Sequence, residues 1–406
     1  MAVGLSGDIK PVPVAGVRLG CAPLGVRSDP RDDLTVIELS AGSRAAAVFT
    51  RNAFCAAPVT VAIEHLARQA PRYLLINAGN ANAGTGSRGL ADARACCQAV
   101  AERTGCSAQQ VLPFSTGVIG EDLPVAHFPE AVDNALARLD GNGWAGAARA
   151  IMTTDTVPKS ISRQFDLEGH TLTVTGMVKG AGMMRPDMAT MLAFVATDAA
   201  VEQALLDDCL VRAARQSFNR ITVDGDTSTN DACVLMATGA GGAPSIDDAS
   251  SDAAHALRRA VSEVCTWLAQ AIVRDAEGAS KFITIAVRDG RDEQECLQLA
   301  YAIAHSPLVM TAMYASDANW GRILAVVGRA GLEDLDIATV RIDLGDVCIV
   351  ADGERAADYT EERGQEVMAA DEINITVGLG RGGARATVWT SDLSHEYVTI
   401  NAEYRT

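Results

Sequence analysis

The stretch Lys179-Gly-Ala-Gly-Met-Met-Arg-Pro-Asp-Met-Ala-Thr-Met-Leu-Ala-Phe194 restricts the folds open to this 406-residue chain more than any other. Gly180 and Gly182 admit backbone conformations that other residues avoid, and Pro186 lacks a backbone donor. The first half is therefore neither regular helix nor regular strand. The second half, Met188 to Val195, is a short apolar run that suits a buried strand. A glycine-rich approach thus delivers Ala189, and then the Thr190 hydroxyl, to the start of a buried element. Two readings follow. Either the threonine does chemistry at the edge of a core, with the Ala189–Thr190 peptide open to attack, or a plain loop enters a strand whose threonine points outward.

A length of 406 residues suggests two or three domains. The hydrophobic fraction of 48% is that of a globular protein. A formal net charge of −17 argues against non-specific nucleic-acid binding, which needs clustered cations. No apolar run reaches the roughly 20 residues of a membrane span. Asp8 and Lys10 interrupt any signal-peptide core, so a soluble, cytoplasmic protein is expected. The ten cysteines form no C-x-x-C pair and do not cluster with the six histidines. They read as reduced, mostly buried thiols, with no metal site.

Alternating and periodic patterns predict an α/β chain. Helices are expected over residues 91–104, 129–139, 201–217, 252–274, 293–305 and 320–327. The 252–274 helix is the best defined, because Leu257, Val261, Val264, Leu268 and Ile272 share one face. Strands are expected over 73–77, 171–178, 232–237 and 282–287, with a hairpin over 340–344 and 347–351. The tail from 373 reads as strand-rich, over 373–377, 386–390 and 397–400. The composition shift near 278–281 marks a domain boundary.

Three motifs carry less than they first suggest. Gly378-x-Gly380-x-x-Gly383 follows a strand, but a β-prone run comes next where a dinucleotide fingerprint needs a helix; a tight hairpin is the simpler reading. Asp224, Asp226 and Asp231 have the look of a calcium loop, yet Leu235 stands where such a loop needs glutamate. Serine-hydrolase chemistry lacks its G-x-S-x-G elbow. Thr190 remains. A threonine freed at an N-terminus carries its own base, an amine of pKa about 7.7–8.0. Its hydroxyl could also open the Ala189 carbonyl to create that terminus. Both steps need an oxyanion hole, which the Thr116 hydroxyl and the Gly117 N–H could supply at a turn.

Nine motifs together resemble one family. They are Ala53-Phe-Cys-Ala-Ala-Pro58, Asn77-Ala-Gly-Asn-Ala-Asn-Ala83, Ser115-Thr-Gly-Val-Ile-Gly120, Met152-Thr-Thr-Asp-Thr156, Lys179-Gly-Ala-Gly182, Pro186-Asp-Met-Ala-Thr-Met-Leu192, Thr222-Val-Asp-Gly-Asp-Thr-Ser-Thr-Asn-Asp231, Asn319-Trp-Gly-Arg322 and Ile400-Asn-Ala-Glu-Tyr-Arg-Thr406. From about Val14 to Thr406 the chain resembles the ornithine acetyltransferases, or glutamate N-acetyltransferases, of arginine biosynthesis. The resemblance implies self-cleavage between Ala189 and Thr190 into α and β chains, residues 1–189 and from 190. It implies ping-pong acetyl transfer from N2-acetyl-L-ornithine to L-glutamate through acetyl-Thr190, with Thr116 and Gly117 at the oxyanion positions. Thr153, Lys179, Thr190, Glu277, Asn401 and Thr406 match substrate-binding positions, with Thr153 and its neighbour Thr154 not separated by sequence. It implies stacked mixed β-sheets flanked by helices, N-terminal-nucleophile-like, in a main domain over 1–280. A smaller α/β domain over 281–372 and C-terminal strands over 373–406 returning to the active site follow. An α2β2 assembly is implied too, with no bound cofactor, no metal, no membrane and no nucleic acid. Acetyl-CoA is left open as a co-substrate. The alternatives are an N-terminal-nucleophile amidase or aminopeptidase on a similar fold, and a small-molecule binding protein that never cleaves.

Overall fold

The structure, a computed structural model, describes residues 2–27, 31–185 and 191–403. In chain order, the first part comprises β1 (Val17–Ala22), β2 (Leu34–Leu39), β3 (Arg44–Phe49), α1 (Ala57–Leu66), β4 (Tyr73–Asn80), α2 (Gly86–Thr104), β5 (Val111–Val118), α3 (Phe128–Ala137), α4 (Trp144–Ala150), β6 (Lys159–Leu167), β7 (His170–Lys179), β8 (Leu192–Thr197), α5 (Gln203–Gln216), β9 (Ala232–Ala237) and α6 (Asp252–Arg274). These strands form two sheets, ordered β1-β2-β4-β5 and β3-β9-β8-β7-β6. Each sheet contains one parallel pair, β4 with β5 and β8 with β9. Parallel neighbours need a crossover, and α2 and α5 lie in the two connections.

Strand alternation builds the layers. Leu192, Phe194 and Ala196 of β8 pack with Leu74, Ile76, Leu112 and Phe114 into the core between the sheets. The Phe114 and Phe194 rings meet edge to face, 5.1 Å between centroids. Ala193 and Val195 point the other way, into a core made with α5 and α6. Ala22, Val36, Leu75 and Val111 of the first sheet likewise pack beneath α2 and α3. The result is helix, sheet, sheet, helix, with every residue of β8 buried. The expected helix over 252–274 is α6, with Leu257, Val261, Val264, Leu268 and Ile272 all on its buried face. It starts where the Ser251 hydroxyl accepts from the Ala254 N–H at 3.2 Å.

The remainder comprises β10 (Phe282–Gly290), α7 (Glu293–Ala304), α8 (Pro307–Tyr314), α9 (Trp320–Arg329), β11 (Arg341–Leu344), β12 (Val347–Ala351), β13 (Glu354–Arg355), α10 (Glu361–Met368), β14 (Glu372–Gly378), β15 (Ala384–Ser391) and α11 (His395–Glu403). A six-stranded sheet ordered β13-β12-β11-β14-β10-β15 has its own core, in which Ile285, Leu299, Ile323 and Ile375 take part. The expected hairpin over 340–351 is β11 with β12.

Two expectations for the tail are corrected. Residues 378–383 do not close a hairpin: β14 and β15 flank β10 on opposite sides, so the loop crosses the end of β10. It is held there by Leu379 N–H to Arg288 O at 3.0 Å and Arg381 N–H to Asp289 O at 2.8 Å. A Cβ at Gly382 would lie 2.2 Å from the Gly290 oxygen, which is why the crossing requires glycine. Residues 397–400 are helical, within α11. The β-branched run Val398-Thr-Ile400 favours a strand only where a neighbouring strand receives it. Here the Ser394 hydroxyl instead accepts from the Tyr397 N–H at 3.3 Å and starts a helix. The strands from 372 to 391 thus complete the sheet that β10 begins, and α11 alone leads back to the first part of the chain.

The Leu268 side chain is fully buried between α6 and the five-stranded sheet. Replacing it with alanine is expected to destabilise the protein by about 2–5 kcal/mol in urea unfolding, the range for emptying a packed leucine site.

Candidate active site

A cavity of about 410 Å³ opens where the two sheets, the end of α6 and α11 converge. Its wall includes Thr116, Gly117, Thr153, Thr154, Lys179, Glu277 and Asn401. The structure therefore brings together every proposed site residue that it describes. Ala189, Thr190 and Thr406 lie outside the described residues. A small annex of about 30 Å³ adjoins this cavity, and Thr116, Lys179, Asp231 and Met191 line it. Met191 is the residue bonded to Thr190 in the sequence.

Thr116 and Gly117, the residues expected to form an oxyanion hole, sit near the end of β5. The backbone of Gly117 has φ +133°, and a Cβ there would lie 2.2 Å from the Gly79 carbonyl carbon, so only glycine fits against β4. The amide-rich loop after β4 serves that fit. Asn77 donates to Asn80 O at 2.8 Å, Ser115 donates to Asn77 at 2.6 Å, and Asn80 donates to Asp122 O at 3.1 Å. Its amides tie the chain to itself. Lys179 Nζ donates to Thr116 Oγ1 at 3.2 Å. Occupying that oxygen as an acceptor leaves the hydroxyl proton free to point at an incoming oxyanion.

Lys179 stays accessible only in part, through the cavity, and desolvation pushes its ammonium pKa down. Asp155 opposes that shift, and the Lys159 ammonium assists it. Behind Lys179 lies a fully buried ion cluster. Lys159 Nζ donates to Asp155 at 2.7 Å and to Asp275 at 2.6 Å. Burial alone would lower the Lys159 pKa, but the two carboxylates override it and raise the value. Burial would likewise raise Asp155, yet Lys159, Lys179 and the Gly180 N–H hold its carboxyl far below the usual range. The same carboxylate accepts from the Gly180 N–H at 2.7 Å and the Thr153 N–H at 3.0 Å, while Asp275 accepts from the Thr156 N–H at 3.0 Å. One cluster therefore fixes both 153–156 and the loop after β7.

The cavity wall also carries carboxylates. Asn401 donates to Glu277 at 2.8 Å, and the Glu277 N–H donates to Ala181 O at 2.9 Å. Asp224 accepts from Met183 N–H at 2.6 Å, Met184 N–H at 2.7 Å and Asp226 N–H at 3.2 Å. Asp224 of the calcium-like aspartates is thus engaged with backbone, and among the described residues no cluster of His, Cys, Asp or Glu is arranged to hold a metal. Thr222 donates to Met184 O at 2.9 Å and so accepts from the His305 Nε2–H at 3.0 Å. Burial, assisted by Arg185, pushes His305 down to about 4 against the opposing Asp226.

Sequence reading passed over Asp155, Lys159, Asp275, Asn230 and Tyr397, and weighed Asp224 only as a calcium ligand. Asp155 lay inside a quoted motif that was read for its hydroxyls. Asn230 donates to Ala81 O at 2.6 Å and Ser115 O at 2.9 Å, joining the Asp/Thr-rich loop to the oxyanion turn.

The cavity, cut into a double-sheet fold, carries hydroxyl donors, an ammonium and carboxylates, a wall suited to small charged molecules. The ArgJ family profile matches residues 18–406. The arginine biosynthesis bifunctional protein ArgJ of Pseudomonas syringae pv. tomato is 55% identical over 406 residues, covering 100% of both chains. Its namesake in Methylococcus capsulatus is 58% identical over 399 residues, covering 98% of this chain and 97% of its own. The crystal structure of the Bacillus halodurans protein argJ superposes with a TM-score of 0.51 at 38% identity, over 53% of this chain and 100% of that one. The chain belongs to the ArgJ family. Among the described residues, no single helix is long and apolar enough to cross a membrane.

Two outcomes are expected. Lys159→Met leaves two buried carboxylates without their cation, and should cost about 3–5 kcal/mol in urea unfolding. For His305, the folded pKa of about 4 lies below the unfolded value of about 6.5. Its contribution is therefore full above about pH 6.5 and is lost as pH falls toward 4. His305→Gln should lose less stability than the parent between those values, measured by melting at stepped pH.

Proposed function

We propose that this protein transfers the acetyl group of N2-acetyl-L-ornithine to L-glutamate through an ester on Thr190, after cutting itself between Ala189 and Thr190. The observation that carries the reading is one cavity. Thr116, Gly117, Thr153, Lys179, Glu277 and Asn401 share its wall, and it adjoins an annex bounded by Met191. The length of the solved Bacillus relative supports the cut: its whole chain matches 53% of this one, the share that residues 190–406 make up.

In the first half-reaction the Thr190 amine takes the hydroxyl proton, and Oγ attacks the acetyl carbon. The Thr116 hydroxyl and Gly117 N–H receive the oxyanion. The amide C–N bond breaks, the nitrogen takes the proton from the amine, and ornithine leaves. In the second half-reaction the glutamate amine attacks the ester carbon and the proton returns to Thr190 Oγ. Lys179 holds a substrate carboxylate as a point charge. Glu277, oriented by Asn401, meets the cationic end of ornithine. Thr153 adds a hydroxyl, and the Thr406 terminus closes the pocket. No bound cofactor is invoked, and acetyl-CoA serves as a second acetyl donor to the same threonine. The cut chains stay together as an α2β2 assembly in the cytoplasm, where ten free thiols are at home. Full-length relatives with biosynthetic names do not favour the amidase alternative.

Intact mass under denaturing conditions should give two chains, residues 1–189 and 190–406, and a single chain for Thr190→Ala. Acetylornithine should add one acetyl group to the 190–406 chain. Thr116→Val should lower kcat by about 10²–10³-fold, as for loss of one oxyanion donor. An intact parent chain with full transfer activity would sink the proposal.

A further inference from the structure

Asp231 immediately precedes β9 and is 3% exposed. Its Oδ2 has no hydrogen-bond partner among the described residues, although an unmet buried carboxyl oxygen is costly. The side chain lines the annex with Lys179, Thr116, Gly180 and Met191. The backbone fixes it there, because Ala232 N–H donates to Met191 O at 2.8 Å and β8 and β9 run in register from Leu192 and Ala232. Burial pushes the carboxyl well above its usual range, and neither Ser228 nor Lys179 overcomes this. Burial thus favours the undissociated acid at Asp231, beside the residue that follows Thr190 in the chain. Lys179, the other titratable group of the annex, is engaged with Thr116.

Nothing in the acetyl-transfer cycle uses such an acid. The self-cleavage does, because an amide nitrogen leaves poorly unless it is protonated as its bond breaks. We propose that Asp231 is the proton donor to the departing Thr190 nitrogen in the cleavage step, an inference that rests on the function proposed above. Thr190 Oγ forms its bond to the Ala189 carbonyl carbon, and the C–N bond breaks with its electron pair going to nitrogen. That nitrogen takes the Asp231 proton. The hydroxyl proton of Thr190 passes to the resulting carboxylate, so Asp231 is restored. Water then opens the ester.

The test follows cleavage of newly made full-length chain by denaturing mass, with and without hydroxylamine, which cuts esters. Asp231→Asn keeps the shape and removes the acid. It should melt near the parent yet cleave at least ten-fold more slowly, and hydroxylamine should not restore the rate, because no ester has formed. Asp231→Ser is read by the same criteria should the asparagine variant not fold. Cleavage at the parent rate, or full rescue by hydroxylamine, overturns the assignment. Thr190→Ala is run beside them: if it too cleaves, the failure belongs to the threonine nucleophile and not to Asp231.

Discussion

The site depends on the buried Asp155–Lys159–Asp275 cluster. Charges removed from water are tolerated only when their hydrogen-bonding capacity is met. Here it is met by the chain segments that shape the cavity, through the N–H groups of Thr153, Thr156 and Gly180. The cluster draws on the start of β6, the turn after α4 and the residue after α6, and so welds the five-stranded sheet to its covering helix. The Lys179 ammonium can then be held in a poorly solvated position, because the strand that carries it cannot relax toward solvent.

The cavity wall carries charges of both signs. Lys179 comes from β7 and Thr116 and Gly117 from β5, whereas Glu277 follows α6 and Asn401 arrives on α11. A molecule with a carboxylate and an ammonium a few bonds apart is thereby oriented by field as well as by shape. Glu277 and Asn401 meet although they are 124 positions apart in sequence, and the helix supplying Asn401 extends from the second part of the chain.

Sequence reading recovered what local pattern encodes. The α6 stripe, the β11–β12 hairpin and the run entering β8 all follow from periodicity and turn chemistry. The pairing of β14 and β15 around β10 was not legible, because a G-x-G-x-x-G loop can close a hairpin or step across a neighbouring strand equally well. Residues 397–400 misled because β-branched side chains express a preference only when a strand is there to receive them. Motif resemblance found Thr116, Gly117, Lys179, Glu277 and Asn401 one by one. It could not show that Asp155 and Asp275, distant in sequence, are bound to one lysine.

The strand order β3-β9-β8-β7-β6 carries a topological consequence. Strands β3, β6 and β7 precede residue 190, while β8 and β9 follow it, so the later pair is clasped on both sides by the earlier ones. A break at that point would leave two polypeptides interlocked within one hydrogen-bonded sheet, with the cores on its two faces shared between them. Neither piece of a chain cut there could leave without dismantling the sheet it shares with the other. A covalent bond at that position therefore matters for assembling the molecule and not for keeping it together.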